Sequence, residues 1–93
     1  KNSKLISPEK SRCFPIPASE KIIIEFSSNK QTEYRIKILD ISGRIILQNN
    51  PVQIEFGKIR EEIPVPKLTN GIYLYQIDIG NEILDTGKFI IDN

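Results

Sequence analysis

LTNGIYLYQIDIG, Leu68 to Gly80, is the stretch whose reading decides the fold. It opens on an Asn70-Gly71 turn signal, after which Tyr73, Tyr75, Ile77 and Ile79 recur at every second position with Gln76 and Asp78 between them. A period of two belongs to a β-strand, because successive strand side chains point to opposite faces. Burying those four large side chains contributes about 1.5 to 3 kcal/mol each, or roughly 6 to 12 kcal/mol together. A slip of one residue would forfeit that and bury Asp78, so the pattern itself specifies the register.

The same period continues upstream. KIIIEFS sets Ile22, Ile24 and Phe26 against Ile23, Glu25 and Ser27, and YRIKILD sets Tyr34, Ile36 and Ile38 against Arg35 and Lys37. One apolar and one charged face is the mark of an antiparallel sheet with a solvated side. The second strand runs through Ile41, Ser42 and Gly43 into RIILQ, and glycine accepts the positive φ of a hairpin without strain. VQIEF and the stretch from Arg60 to Val65 read as two further short strands, the second an edge strand because Pro64 and Pro66 lack ladder donors. Downstream, Gly80-Asn81 is a two-residue hairpin signal leading to EIL and then TGKFII, with Phe89 and Ile91 facing the core and Lys88 the solvent. About seven short strands with no helical periodicity predict an all-β fold, an antiparallel β-sandwich of immunoglobulin-like type. A partly closed barrel is the competing architecture.

Ninety-three residues suffice for one domain with one modest core. Residues 1–13 are polar and basic and lack either periodicity, which predicts a linker from an upstream cargo, with the folded domain spanning 14–93. The absence of any methionine reads as a module or tail of a longer protein, with any export leader upstream of Lys1. Thirteen basic and twelve acidic residues are interspersed, which argues against a nucleic-acid footprint. Apolar runs of three residues, such as Ile22 to Ile24 and Ile45 to Leu47, predict no membrane span.

Histidine is absent and Cys13 is the lone cysteine, so Cys-His or Ser-His catalysis lacks its players and a zinc site its ligands. Glu61, Glu62, Asp78, Glu82 and Asp85 could in principle supply a carboxylate pair, but acidic residues in turns and on outward strand positions most often serve solvation. Neither an EF-hand loop nor a phosphate-binding glycine motif occurs, so no cofactor is expected. Tyr34, Tyr73 and Tyr75 could line a sugar-binding face, yet they share faces with isoleucines and read as core. A binding or tethering module ranks above an enzyme, with a carbohydrate-binding or spacer sandwich on a secreted enzyme as the second reading.

FPIPASEKIIIEF, YRIKILDISGRII, LTNGIYLYQI and a final GKFII occur in that order between Phe14 and Ile91. Together they resemble the C-terminal sorting domain of type IX secretion in Bacteroidetes. The residues that carry the resemblance are Pro15, Pro17 and Ala18 of the opening motif, Asp40, Gly43 and Arg44 of the hairpin, Gly71 and Tyr73 of the glycine-aromatic strand, and Lys88, Phe89, Ile90 and Ile91 of the tail. Ile16 stands where the family usually has asparagine. The resemblance implies a non-catalytic address label that takes a cargo through the periplasm to the cell surface or beyond. Its implied partners are the outer-membrane export machinery, a sortase-like peptidase that cuts before Phe14, and an anionic lipopolysaccharide joined to the processed cargo.

Overall fold

The computed structural model describes residues 11–28, 32–54, 57–65 and 68–92. Among them are eight strands and no helix: β1 (Ser11–Phe14), β2 (Lys21–Ser28), β3 (Glu33–Leu39), β4 (Ile45–Gln48), β5 (Val52–Gln53), β6 (Gly57–Pro64), β7 (Gly71–Ile79) and β8 (Glu82–Ile91). They form two antiparallel sheets, one ordered β1-β2-β6 and the other β4-β3-β7-β8, with β5 beside β3 along the same edge as β4. The expected all-β antiparallel sandwich is therefore the observed architecture.

The period-two strands meet as their patterns require. Ile22, Ile24 and Phe26 of one sheet face Tyr34, Ile36, Ile38, Tyr73, Tyr75, Ile77, Ile79, Phe89 and Ile91 of the other, all buried in one cluster. β7 lies between β3 and β8, paired Ile36↔Ile77 on one side and Tyr73↔Phe89 on the other. Phe26 and Tyr34 meet edge to face across the layers at 5.2 Å, and Tyr73 stacks on Phe89 at 5.8 Å. Both arrangements suit the quadrupoles of the rings.

Polar bonds join the sheets at both open sides of the sandwich. On one side the Tyr34 hydroxyl donates to the Glu61 carboxylate of β6, and burial, reinforced by that carboxylate, pushes the phenol well above its usual range. On the other, Ser11 Oγ gives its single proton to Asp85 at 2.5 Å and so accepts from the Tyr75 hydroxyl at 2.7 Å.

Four details differ from the sequence expectation. Ser11, Arg12 and Cys13, read as the end of a linker, form β1 and pair with Phe26, Glu25 and Ile24 of β2. Their alternation is weak because backbone pairing and the Ser11 bonds, more than a buried stripe, hold them. Of VQIEF, Val52–Gln53 form β5. Ile54 turns into the core, its N–H bonded to Thr32 O at 2.7 Å, while Glu55 and Phe56 lie outside the described residues. EIL and TGKFII are one strand, β8, in which Leu84 is the extra residue of a bulge between the Ile77↔Asp85 and Asp78↔Ile83 pairs. Ile23, on the outer side of β2, is also buried, between its cross-strand neighbours Phe14 and Glu62. The expected edge strand Arg60 to Val65 is met in β6, which ends its sheet, but β6 runs from Gly57 to Pro64, and Val65 lies past it, buried, with its N–H bonded to Glu20 O at 2.9 Å.

Gly87 marks the tightest contact between β8 and β7. A Cβ at this position would lie 2.5 to 2.6 Å from the Tyr75 ring and hydroxyl. The Gly87→Ala variant must displace that ring and break its bond to Ser11, which outweighs alanine's advantage in a strand. Overpacking of this kind costs about 1 to 3 kcal/mol. Chemical denaturation monitored by tyrosine fluorescence is expected to show a loss in that range, and an equally stable variant would contradict the packing described.

Candidate functional site

The four motif pieces, scattered in sequence, come together at one end of the sandwich. β3 runs into its hairpin where Leu39 pairs with Leu74, and β7 begins beside the end of β8, with Gly71 opposite Ile91. The Pro15–Ala18 segment arrives at the same end, where Ala18 forms a parallel bridge to Ile91. Its N–H donates to Ile90 O and its carbonyl accepts from Asp92 N–H, each at 2.8 Å. With its methyl group buried at 1 % exposure, Ala18 clamps the C-terminal strand where a larger side chain would meet the core. The peptide bonds preceding Pro15 and Pro17 are cis, and Ile16 between them is exposed.

The hairpin is built around Asp40. Its Oδ1 accepts from the Ser42 N–H at 3.0 Å, the Ser42 hydroxyl at 2.6 Å and the Arg44 N–H at 3.0 Å, while Oδ2 pairs with Arg44 Nε at 3.2 Å. Asp40 N–H donates to Arg44 O and Gly43 N–H to Asp40 O, closing the turn at 2.9 Å each. Gly43 takes φ 92°, a conformation in which a side chain would be strained. The Asp-x-x-Gly-Arg spacing is thus a turn device, and the bonds from Ser42 first and Arg44 next hold the Asp40 carboxyl below its ordinary range.

Tyr73 anchors the entry to β7: its hydroxyl donates to Thr69 O at 2.7 Å, and its ring stacks on Phe89. A tyrosine tied back to the preceding turn in this way occurs in β-sandwich domains. Phe89 and Ile91 fill the core at this end. Lys88 and Ile90 alternate with them and face outward.

The outward positions contain what sequence reading overlooked. Ile90 lies directly opposite Ile72, 43 % and 53 % exposed, with Leu74 and Leu39 paired beside them and Ile45 paired to Leu39. Ile41, at the hairpin tip, is 74 % exposed. The same face turns polar further along the sheet, where Lys37 pairs with Asp78 at 2.9 Å and Gln76 donates to Asp78 at 2.7 Å. One sheet face therefore groups its apolar outward residues at the motif end and is mainly polar at the other, where Ile83, opposite Asp78 and 60 % exposed, is an exception. Apolar residues grouped in this way on a solvated face are the kind of surface through which proteins meet partners. The signal was present in the outward residues of β7, which read Ile72, Leu74, Gln76, Asp78, but the pairing of Ile72 with Ile90 needed the register.

Tyr34, Tyr73 and Tyr75 are buried and form no exposed platform for a sugar. The carboxylates are dispersed among neighbours on both sheets: Glu61 with Tyr34, Glu62 with Lys21 and Arg60, Asp78 with Lys37, Asp85 with Ser11. Among the described residues no His, Cys, Asp and Glu cluster could hold a metal ion, and no helix is long and apolar enough to cross a membrane.

The hairpin makes the Asp40 contribution pH-dependent. Its folded-state pKa is depressed below 3.8, so the stabilisation is present above that value and lost as pH falls through the lower folded-state one. Asp40→Ala is expected to melt below the parent at neutral pH, with the gap closing as both are acidified through the lowered folded-state pKa. Thermal melts followed by circular dichroism would check this, and a gap that persists unchanged in acid would contradict it.

No curated protein and no solved structure matches this chain. Without a structural relative, the immunoglobulin-like label remains an expectation, and the sandwich is described by its strand order alone. A family model described as the secretion system C-terminal sorting domain matches residues 12–92, from β1 past the end of β8. The chain belongs to that family, the C-terminal sorting domains of type IX secretion.

Proposed function

We propose that the export machinery reads this domain at its motif pole, where the apolar half of the β4-β3-β7-β8 sheet sits beside the C-terminal strand. The family supports a sorting signal for type IX secretion, which implies contact with that machinery and passage across the outer membrane. The observation that carries the finer reading is the outward Ile72–Ile90 pair flanked by Lys88. These side chains stabilise no core, and they lie on the strand that Ala18 and Tyr73 hold in place.

In this reading the folded body is the signal, and Asp40, Gly43, Arg44, Gly71 and Ala18 act through the shape they give the pole. A sortase-like peptidase cuts upstream of Ser11, since a cut between Ser11 and Phe14 would sever β1 from its pairing with β2. The released cargo then reaches the cell surface, where it is joined to anionic lipopolysaccharide. The burial of all three tyrosines works against the alternative of a carbohydrate-binding module.

Deleting Lys88 to Asn93 would also remove Phe89 and Ile91 from the core, so lost export could mean only lost folding. The double variant Ile72→Thr, Ile90→Thr keeps β-branched residues at both exposed positions and removes only the apolar surface. Covering the exposed halves of two isoleucines contributes about 1.5 to 3 kcal/mol, so docking is expected to weaken about tenfold or more. A reporter fused ahead of the variant domain should accumulate in the periplasm of a type IX-competent host while the purified domain keeps its melting temperature. Normal surface delivery by the folded variant would overturn the proposal.

A further inference from the structure

β8 is an edge strand whose free edge is flanked by contacts at two places. At one end Ser11 of β1 holds Asp85, and at the other Ala18 bonds to Ile90 O and Asp92 N–H. The N–H and C=O of a given strand residue point to the same side, so Ile90 and Asp92 mark the outward set. Counting back by twos, Thr86 and Lys88 turn their backbone N–H and C=O to the same open edge. No backbone bond to either outward group occurs among the described residues.

Between the two covers lies a groove of about 600 Å³, lined by Arg12, Cys13, Phe14 and Ile16 on one side and by Gly87 and Lys88 on the other. The edge it exposes runs from Asp85 to Ile90, about 16 Å at strand rise. Its rim is cationic on balance. Lys88 has no ion pair among the described residues, and Arg12, lying over the Phe14 ring at 5.2 Å, reaches Glu25 only at 3.6 Å between exposed side chains. The one acid on the rim, Asp85, is already engaged by the Ser11 hydroxyl.

We propose that this slot binds a short, extended peptide segment bearing a carboxylate, which adds to β8 as a partial strand. The backbone of the segment satisfies Thr86 and Lys88, alternate side chains rest on Phe14 and Ile16, and the carboxylate meets Lys88 and Arg12. Such edge addition takes its affinity from main-chain bonds and its selectivity from alternate side chains. A single extended chain needs about 5 Å of width. A second folded copy would have to bring its own β1 and proline turn into the same opening. The proposal is independent of the sorting role and is tested on the purified chain.

The probe is a fluorescein-labelled peptide of alternating valine and glutamate, with the same peptide N-methylated at alternate amides as its control. Fluorescence anisotropy at low salt is expected to show saturable binding of the first and none of the second. Thr86→Pro removes the outward donor without touching the β7 ladder, so it should abolish binding while leaving the melting temperature nearly unchanged. Lys88→Glu should weaken binding roughly fivefold and remove most of its salt dependence. Cys13, the chain's only cysteine, lines the groove with its thiol pushed by burial up to about 11, and bound peptide should slow its alkylation further. Absence of saturable binding at millimolar peptide, binding that survives Thr86→Pro, or a chain that dimerises through this edge without peptide would each overturn the proposal.

Discussion

The register of β7 between β3 and β8 is the constraint on which the rest of the structure depends. It buries Tyr73, Tyr75, Ile77 and Ile79 on one side and leaves Ile72, Leu74, Gln76 and Asp78 on the other. A strand slipped by one residue would exchange the two sets, placing Asp78 in an apolar layer where a carboxylate has no compensating charge. The same register sets Gly71 opposite Ile91 and Gly87 opposite Tyr75, so the close ring contact and the position of the C-terminal strand follow from it. β7 thus connects the energetics of the core to the geometry of the surface that a partner would meet.

That surface departs from ordinary antiparallel practice in one half of one face. At the end distant from the motifs, outward positions are mainly polar, with Lys37 and Asp78 paired across strands and Ile83 the exposed apolar exception. At the motif end the outward positions of the same strands are isoleucine and leucine. Exposed isoleucines on an edge strand invite unwanted association, so their grouping beside the tail is costly unless a partner covers them. The Asp40 turn, the Ala18 clamp and the Tyr73 anchor surround this half, and each makes its bonds within the domain. In the proposed reading they hold that surface in shape.

Much of this was legible in the sequence because alternation is a local property. The faces of KIIIEFS, YRIKILD and IYLYQIDI, the hairpins at Gly43 and at Gly80-Asn81, and the edge character imposed by Pro64 could each be read from neighbouring residues. What escaped was long-range. β1 is four residues long, and Ser11 is held by partners 64 and 74 positions away. Ile72 and Ile90 looked like ordinary strand residues until pairing set them side by side. The motif residues were recognised one by one through a resemblance, whereas their meeting at one pole follows from sheet order, which no local pattern encodes.

The most direct test of the account compares two positions on the same strand and the same face. A photo-activatable amino acid replaces Ile72, in the apolar half, or Gln76, four residues further and about 13 Å away in the polar half. Each variant is expressed behind a cargo in a type IX-competent host and irradiated during export. The account predicts a discrete adduct with an outer-membrane export protein from position 72 and none from position 76. Equal adducts from both positions, or an adduct from 76 alone, would contradict it.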